Sequence, residues 1–201
     1  MRIGVFGGTF DPVHLGHLIL AEQCREQGQL DQVLYVPAAR PPHKRDQPLT
    51  PFAQRAEMLA LAIAGQPAFR VDELERERPG PSFTVETLEA IHVRQPADEL
   101  FLVIGSDTLD DLPQWREPVR VLELAGLLVA ARPNWEMPTA ETLRAALQLP
   151  REATLRLQVV QMPLIEISSR DLRRRASEGR SISFMLPRAV EVFIREKHIY
   201  S

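Results

Sequence analysis

Apolar and polar positions alternate in blocks along the chain, in a pattern that predicts strands and helices in turn. Short apolar runs typical of buried parallel strands occur at residues 3–6, 32–37, 69–72, 100–104, 127–131 and 155–162. Segments with helical periodicity lie between or after them, at residues 15–27, 51–64, 82–93, 119–124, 139–149, 168–177 and 187–197. This alternation predicts the α/β class: a doubly wound, mostly parallel sheet with C-terminal helices, as a single domain over residues 1–201.

Cap-forming residues stand at the start of two predicted helices. Thr50 precedes Pro51, an order that predicts a threonine cap with proline at the first helical position. Ser168 stands three residues before Asp171, which resembles a capping box. We therefore expect these two hydroxyl residues to begin the second and the penultimate helix.

A glycine-rich stretch, GGTFDPVHLGH at residues 7–17, joins the first predicted strand to the first predicted helix. Gly7 and Gly8 let the backbone approach a ligand, and the helix start offers N–H groups to an anion. His14 and His17 are three residues apart, so both rings project from one helix face, and Gly16 leaves room beside them. The stretch predicts a phosphate site; the alternative is a glycine-rich turn with two surface histidines.

Composition narrows the function classes. The 201 residues are 44% hydrophobic and 25% charged, which is typical of a globular domain, and the net charge of −3 argues against a nucleic-acid-coating protein. No apolar run reaches membrane-spanning length, and the first strand begins at once, so neither a membrane partner nor a signal peptide is expected. The single cysteine, Cys24, is predicted to pack inside the first helix and suits the cytoplasm. The oligomeric state stays open, with a homo-oligomer among the alternatives.

Three polar clusters follow predicted strands: the 7–17 stretch, His43-Lys44, and Gly105-Ser106-Asp107. An open α/β sheet binds ligands at the carboxyl ends of its strands, so the fold prediction brings these clusters together. The dinucleotide fingerprint Gly-x-Gly-x-x-Gly and the Walker A loop are both absent from the sequence. The expected ligand is therefore a nucleotide that is held by a different device.

Several of these residues have a structural alternative. His43 and Lys44 follow two prolines, so they belong either to a stiff phosphate clamp or to a solvated basic loop. Asp107 could bind ribose hydroxyls or cap the next helical turn. Trp115 could form a pocket wall or join the core, and Thr84 could face an anion or merely cap its helix.

A second anion site is predicted near the C-terminus. Ser168 and Ser169 place hydroxyls at a helix start, with Arg173 one turn inside, an arrangement that suits a polyphosphate. Because a run of charges usually forms a solvated face, we expect Arg173 to point inward and Arg174 and Arg175 to lie at the surface.

The 7–17 stretch resembles the signature of the His-x-Gly-His nucleotidyltransferases. Together with residues 41–44, 82–88, 105–107 and 167–173, it resembles the bacterial nicotinate-nucleotide adenylyltransferase family over essentially the whole chain. This resemblance implies a Rossmann-like nucleotidyltransferase fold. It also implies a reaction in which ATP, with Mg²⁺, and nicotinate mononucleotide give nicotinate adenine dinucleotide and pyrophosphate. Two residues depart from the family pattern: Arg170, which puts triphosphate contacts in doubt, and Arg116, which does the same for the acceptor rim.

The resemblance also implies residue roles. ATP would be bound by Gly7, Gly8, Thr9, Phe10, His14, His17, Gly105, Asp107, Arg132, Ser168, Ser169 and Arg173. The acceptor would be bound by Thr9, His43, Lys44, Thr84, Trp115 and Arg116. The catalytic group would comprise His14, His17, Lys44 and Arg173, and Mg²⁺ would be held by ATP phosphates with no protein ligand. Two alternatives remain open: a same-fold enzyme acting on nicotinamide mononucleotide or another phosphate acceptor, and a non-enzymatic nucleotide sensor.

Overall fold

A computed structural model describes residues 1–42, 48–131, 135, 138–149 and 154–200. The described strands form a six-stranded sheet in the order β3-β2-β1-β4-β5-β6, and all of its pairings are parallel. The strands are β1 (Arg2–Gly8), β2 (Gln32–Pro37), β3 (Phe69–Val71), β4 (Glu99–Gly105), β5 (Ala125–Ala130) and β6 (Leu157–Val160). This order confirms the doubly wound fold and puts its topological switch point between β1 and β4.

Eight α-helices are described. They are α1 (Leu15–Gln27), α2 (Phe52–Ile63), α3 (Thr84–Arg94), α4 (Ser106–Asp111), α5 (Pro118–Leu124), α6 (Ala140–Ala146), α7 (Ser169–Ser177) and α8 (Arg188–Glu196). Seven of the eight overlap the predicted helical segments. Helix α4, which is followed by a short 3-10 turn over Leu112–Gln114, was not predicted.

The two predicted caps have different outcomes. Ser168 is the N-cap of α7, and its hydroxyl oxygen accepts a hydrogen bond from the Asp171 amide at 3.2 Å. The predicted Thr50 cap is wrong, because Pro51 occupies the cap position of α2. The Thr50 amide donates to Asp11 Oδ2 at 3.2 Å, so a tertiary contact ties this residue to the loop after β1.

The sheet buries one apolar layer on each face. Helices α1, α2, α7 and α8 cover one face, where Tyr35 points, and helices α3 to α6 cover the other, where Leu34 points. This alternation along β2 follows from the two-residue period of a strand. Cys24 is fully buried in the first layer, and burial raises the pKa of its thiol to about 12, which confirms its packing role.

Candidate active site

The loop after β1 lies at the switch point, and its two glycines serve different purposes. A Cβ atom on Gly7 would meet no atom within 4 Å, so open space adjoins the backbone where ligand approach is expected. A Cβ atom on Gly8 would lie 3.0 Å from the Phe10 ring. The residue is therefore small to admit Phe10, which is buried with a left-handed φ of 49°. The ligand-approach prediction suits Gly7, whereas the packing of Phe10 explains Gly8.

His14 and His17 form a stacked pair at the start of α1. Their ring centroids are 3.7 Å apart and the ring planes differ by 27°. The His14 amide donates to His17 Nδ1 at 3.2 Å, so a neutral His17 ring carries its proton on Nε2. The predicted shared face is therefore confirmed, with a defined donor atom on His17.

His14 is the buried member of this pair, with 6% of its surface exposed. Desolvation lowers the pKa of its imidazole from 6.5 to about 4, so the ring is neutral at pH 7. Among the described residues, His14 Nδ1 has no hydrogen-bond partner. A Cβ atom on Gly16 would lie 3.0 Å from this nitrogen. The room that Gly16 was expected to leave for a ligand is therefore taken by His14 itself.

Some amides of the α1 start are already engaged. The Leu15 amide donates to the Met185 carbonyl at 3.0 Å, and the His17 amide donates to the His14 carbonyl at 2.9 Å. The expectation that the helix start offers its N–H groups to an anion is wrong for these two amides. The Met185 carbonyl, in the segment before α8, accepts the hydrogen bond that an anion was expected to accept from Leu15.

Helix α7 brings the predicted polyphosphate residues to the loop after β1. Ser169 Oγ donates to the Pro12 carbonyl at 2.9 Å, and Arg173 Nη1 donates to the Asp11 carbonyl at 2.7 Å. The hydroxyl proton of Ser169 is thus committed to the protein backbone, whereas Ser168 acts as the cap. The structure therefore joins the two predicted anion clusters into one region.

The predicted direction of the arginine run agrees with the structure. Arg173 turns toward the loop after β1, whereas 62% of the Arg174 side chain is exposed and pairs with Asp171. Arg175 donates from an exposed position to the Ser181 carbonyl. One arginine of the three therefore faces the candidate site.

Asp107 lies on the neighbouring strand end, across the switch point from β1. Its alternative role as an N-cap is wrong, because Gly105 occupies the cap position of α4 and Asp107 lies within the first turn. The carboxylate is exposed and folds back over Gly105, where a Cβ atom would meet Asp107 Oδ1 at 2.6 Å. It remains a candidate ribose ligand.

Three predicted acceptor residues come together beside α3. Thr84 is half-buried at the first position of that helix, and Trp115 is half-buried against the apolar layer on the α3 side. Arg116 joins the two segments, because its guanidinium bonds Glu86 at 2.9 Å and lies 4.8 Å from the Phe83 ring centroid. Trp115 therefore packs on the core, which was one of its two alternatives, and its role as a pocket wall stays a prediction.

A chain of hydrogen bonds links this acceptor region to the loop after β1. Ser82 Oγ accepts from the amides of Ala39 and Arg40 at 3.1 and 3.0 Å, and the Ala38 amide donates to the Gly8 carbonyl at 2.8 Å. The predicted site residues His43, Lys44 and Arg132 lie outside the described residues, so their roles stay predictions.

The sequence profile of the cytidylyltransferase-like family matches residues 5–175. A Thermus thermophilus protein named a probable nicotinate-nucleotide adenylyltransferase is 46% identical over 200 residues, which cover 100% of both chains. A Thermomicrobium roseum protein of the same name is 45% identical over 199 residues, covering 99% of this chain and 91% of that protein. The chain belongs to the nicotinate-nucleotide adenylyltransferase family.

Solved structures of nicotinic acid mononucleotide adenylyltransferase from Plasmodium falciparum share the fold of this family member. The complex with NaAD has a TM-score of 0.79 at 17% identity and is covered over 97% of its chain and 99% of this one. The complex with APC has a TM-score of 0.77 at 16% identity, with coverages of 96% and 99%. The six-stranded order is thus the adenylyltransferase fold.

Arg55 supports the candidate site of this family member, and the sequence analysis did not identify it. Only 1% of its surface is exposed, and its guanidinium donates to the carbonyls of Thr9, Ala38 and Thr50 at 2.7, 2.8 and 2.9 Å. Burial lowers the pKa of this guanidinium. The signal was periodicity: Arg55 lies in phase with Leu59 on the apolar stripe of α2, where a charge requires buried partners.

Metal-binding clusters and membrane-spanning helices bear on the described residues of this adenylyltransferase family member. Within those residues, no group of three or more His, Cys, Asp and Glu side chains could hold a metal ion. No described helix combines the length and apolar character that crossing a bilayer requires.

Proposed function

We propose that this protein transfers the adenylyl group of ATP to the phosphate of nicotinate mononucleotide, releasing nicotinate adenine dinucleotide and pyrophosphate. The observation that carries the proposal is the arrangement around residues 7–12. Arg173 reaches this loop from α7, and the segment bearing Ser82 reaches it through Ala38 and Ala39. The two predicted substrate regions therefore flank one loop. The names of the relatives, nicotinate-nucleotide adenylyltransferases, support this pair of substrates.

The chemistry of the reaction suits a site built from donors. The attacking group is a phosphate oxygen, which is anionic at pH 7, so the reaction requires no general base. The leaving pyrophosphate requires charge neutralisation and in-line positioning at the α-phosphorus. His17 can donate from Nε2, and the neutral ring of His14 can gain a proton when a phosphate lies beside it.

The remaining roles are proposed in the same way. The open space beside Gly7 and the amides of residues 8–10 would receive ATP phosphates, with Ser168 and Arg173 on the β- and γ-phosphates. Asp107 and Gly105 would contact the ribose across the switch point, with Arg132 as an adenosine contact. Thr9, His43 and Lys44 would bind the acceptor phosphate.

ATP would enter as its Mg²⁺ complex. The described residues offer no cluster of three metal-binding side chains, so the triphosphate would carry the ion. The ion would add positive charge on the phosphate oxygens, and the chain's own cations would bind the oxygens that it leaves. A reaction that consumes ATP, together with a single fully buried thiol at Cys24, favours the cytoplasm.

The acceptor region favours nicotinate over nicotinamide mononucleotide. Helix α3 has no side-chain cap at Phe83, so the partial positive charge at its start, next to Thr84, can face the ring carboxylate. Trp115 offers a face for stacking of the pyridinium ring. The Arg116 side chain is already paired with Glu86, so backbone donors would provide most of the discrimination.

The test measures kcat/KM for both mononucleotides with ATP and Mg²⁺, using wild type and Trp115→Ala. Two buried hydrogen bonds to a charged group are together worth about 3–6 kcal/mol, so nicotinate should be preferred by at least about a hundredfold. Trp115→Ala should weaken both acceptors, and an unchanged KM for ATP is the internal control. Equal efficiency for both acceptors would contradict nicotinate as the substrate. Absence of pyrophosphate with either would favour the nucleotide sensor.

A further inference from the structure

The penultimate residue, Tyr200, reaches back to the loop that carries the candidate site. Its hydroxyl donates to Asp11 Oδ1, 189 positions away in sequence. Asp11 is 1% exposed, so its carboxylate depends on the protein for its hydrogen bonds. The second oxygen, Oδ2, accepts from the Thr50 amide at 3.2 Å. The C-terminal tail therefore supplies one hydrogen-bond donor to this buried carboxylate, and the Thr50 amide supplies another.

Asp11 is also the residue that holds Arg173. The Asp11 carbonyl accepts the 2.7 Å hydrogen bond from Arg173 Nη1, so the carboxylate and the carbonyl of one residue serve two different elements. Asp11 is thus held at its side chain by Tyr200, while its backbone carbonyl holds Arg173. The Arg173 guanidinium is thus linked, through Asp11, to the hydrogen bond that the Tyr200 hydroxyl donates.

The Arg173 side chain borders an open cavity. Asp11, Thr50, Arg173 and Tyr200 all line one open cavity of about 540 Å³. The Arg173 guanidinium lines this open volume and donates to the Asp11 carbonyl. The hydrogen bond to Asp11 is therefore a strong restraint on the direction of Arg173.

The tail is built to hold the Tyr200 hydroxyl in place. Tyr200 has a left-handed φ of 68°, which a tyrosine adopts only when its surroundings impose it. The preceding residue, Ile199, is buried, and its amide donates to the Ile194 carbonyl at 3.0 Å. Burial and the bond to Asp11 raise the pKa of the Tyr200 phenol, so it remains a proton donor at any working pH. The hydroxyl is thus a permanent donor at a fixed place.

We propose that Tyr200 is a positioning residue for ATP binding: by holding the Asp11 carboxylate, it fixes the carbonyl that orients Arg173 toward the triphosphate. The proposal rests on the proposed function for the identity of the ligand. It predicts that the Tyr200 hydroxyl affects ATP and leaves the acceptor unaffected, because the acceptor region attaches to the loop through Ala38 and Ser82.

The test compares wild type, Tyr200→Phe and the matched control Tyr35→Phe. The Tyr35 hydroxyl is fully buried and has no hydrogen-bond partner among the described residues, so its loss removes a phenol oxygen without breaking a contact. We expect Tyr200→Phe to raise the KM for ATP, and the Kd of a non-hydrolysable ATP analogue measured by calorimetry, about tenfold, as for the loss of one hydrogen bond to a charged group. The KM for the acceptor should stay unchanged, and Tyr35→Phe should resemble wild type.

A double-mutant cycle identifies the route of the effect. If Tyr200 acts through Arg173, adding Tyr200→Phe to Arg173→Ala should cause no further loss of ATP affinity. Additive losses, equal losses for ATP and acceptor, or wild-type ATP affinity in Tyr200→Phe would each overturn the proposal. If Tyr200→Phe lowers Tm strongly, Asp11→Ala tests the same link, because its methyl group accepts no hydrogen bond from the Tyr200 hydroxyl, and normal ATP affinity in that variant would also overturn the proposal.

The two proposals fail separately in this design. A wild-type protein that produces no pyrophosphate from ATP and nicotinate mononucleotide would end the proposed function. The calorimetric affinity for the ATP analogue would still report whether Tyr200 positions Arg173.

Discussion

The imidazole of His14 lies flat against that of His17, with 3.7 Å between the ring centroids. The two rings differ in burial, because His14 is 6% exposed and His17 is half-buried. His17 is therefore the ring of the pair that reaches solvent, whereas the protein encloses most of His14.

The first prediction concerns stability against pH. The folded-state pKa of His14, about 4, lies below its unfolded value of 6.5, so the unfolded chain binds more protons between these values. The stabilising contribution is complete above pH 6.5 and is lost as the pH falls through 4. Over that window it amounts to about 3 kcal/mol.

Urea unfolding at pH 7 and pH 5 measures this effect. Wild type should lose about 2 kcal/mol more stability between these pH values than His14→Gln. His92→Gln removes an exposed histidine and should show the wild-type pH dependence. Identical losses in wild type and His14→Gln would mean that His14 titrates normally in the folded protein.

The second prediction concerns His17. The His14 amide bonds Nδ1 of His17, which places the proton of the neutral ring on Nε2, and we propose that this N–H donates to the phosphate on which charge develops. His17→Ala should lower kcat by about 10²–10³, roughly 3–4 kcal/mol, while changing the Kd for an ATP analogue much less. Single-turnover rates and calorimetry separate the two effects. Near-normal turnover would remove His17 from the reacting group.

The third prediction uses the two neighbouring glycines. Gly7→Ala adds a methyl group to open space, so Tm should stay unchanged, but the KM for ATP should rise at least about tenfold because the backbone can no longer approach phosphate. Gly8→Ala pushes on the Phe10 ring 3.0 Å away and should lower Tm. Thermal unfolding and ATP kinetics of both variants test this contrast. A normal KM for ATP in Gly7→Ala would place the nucleotide elsewhere.

The fourth prediction compares adjacent arginines. Arg173 faces the Asp11 carbonyl, whereas Arg174 is exposed and paired with Asp171. Arg173→Ala should raise the KM for ATP, and Arg174→Ala should change neither substrate's kinetics, since an exposed ion pair contributes little. Steady-state kinetics of the two alanine variants decide the matter. Equal effects would mean that the arginines act as a diffuse positive field.

Local sequence patterns predicted the parts of this molecule that local forces determine. The bounds of α1 agree at both ends, because apolar periodicity and the flanking glycine at 28 act within one helix. The stacking face of His14 and His17 likewise follows from their spacing of three. The inward direction of Arg173 follows from the phase of α7.

Contacts between distant segments account for the failures. The Thr50 amide donates to Asp11, 39 positions away, and the Leu15 amide donates to the Met185 carbonyl, 170 positions away in sequence. Helix α4 was missed because its six residues are too short to show periodicity. The Tyr200–Asp11 contact joins the two ends of the chain, and no local pattern reports such a pairing.

The buried guanidinium of Arg55 also sets a boundary for protein engineering. It satisfies carbonyls in the loop after β1 and in the segment after β2 at once, through Thr9 and Ala38. A substitution that displaces either carbonyl leaves the buried guanidinium one acceptor short and disturbs both predicted substrate regions together. Acceptor specificity is therefore open to redesign from Thr84 onward, where no such shared cation intervenes among the described contacts. Substitutions in the segment after β2 up to Ala38 must therefore be designed together with the loop after β1.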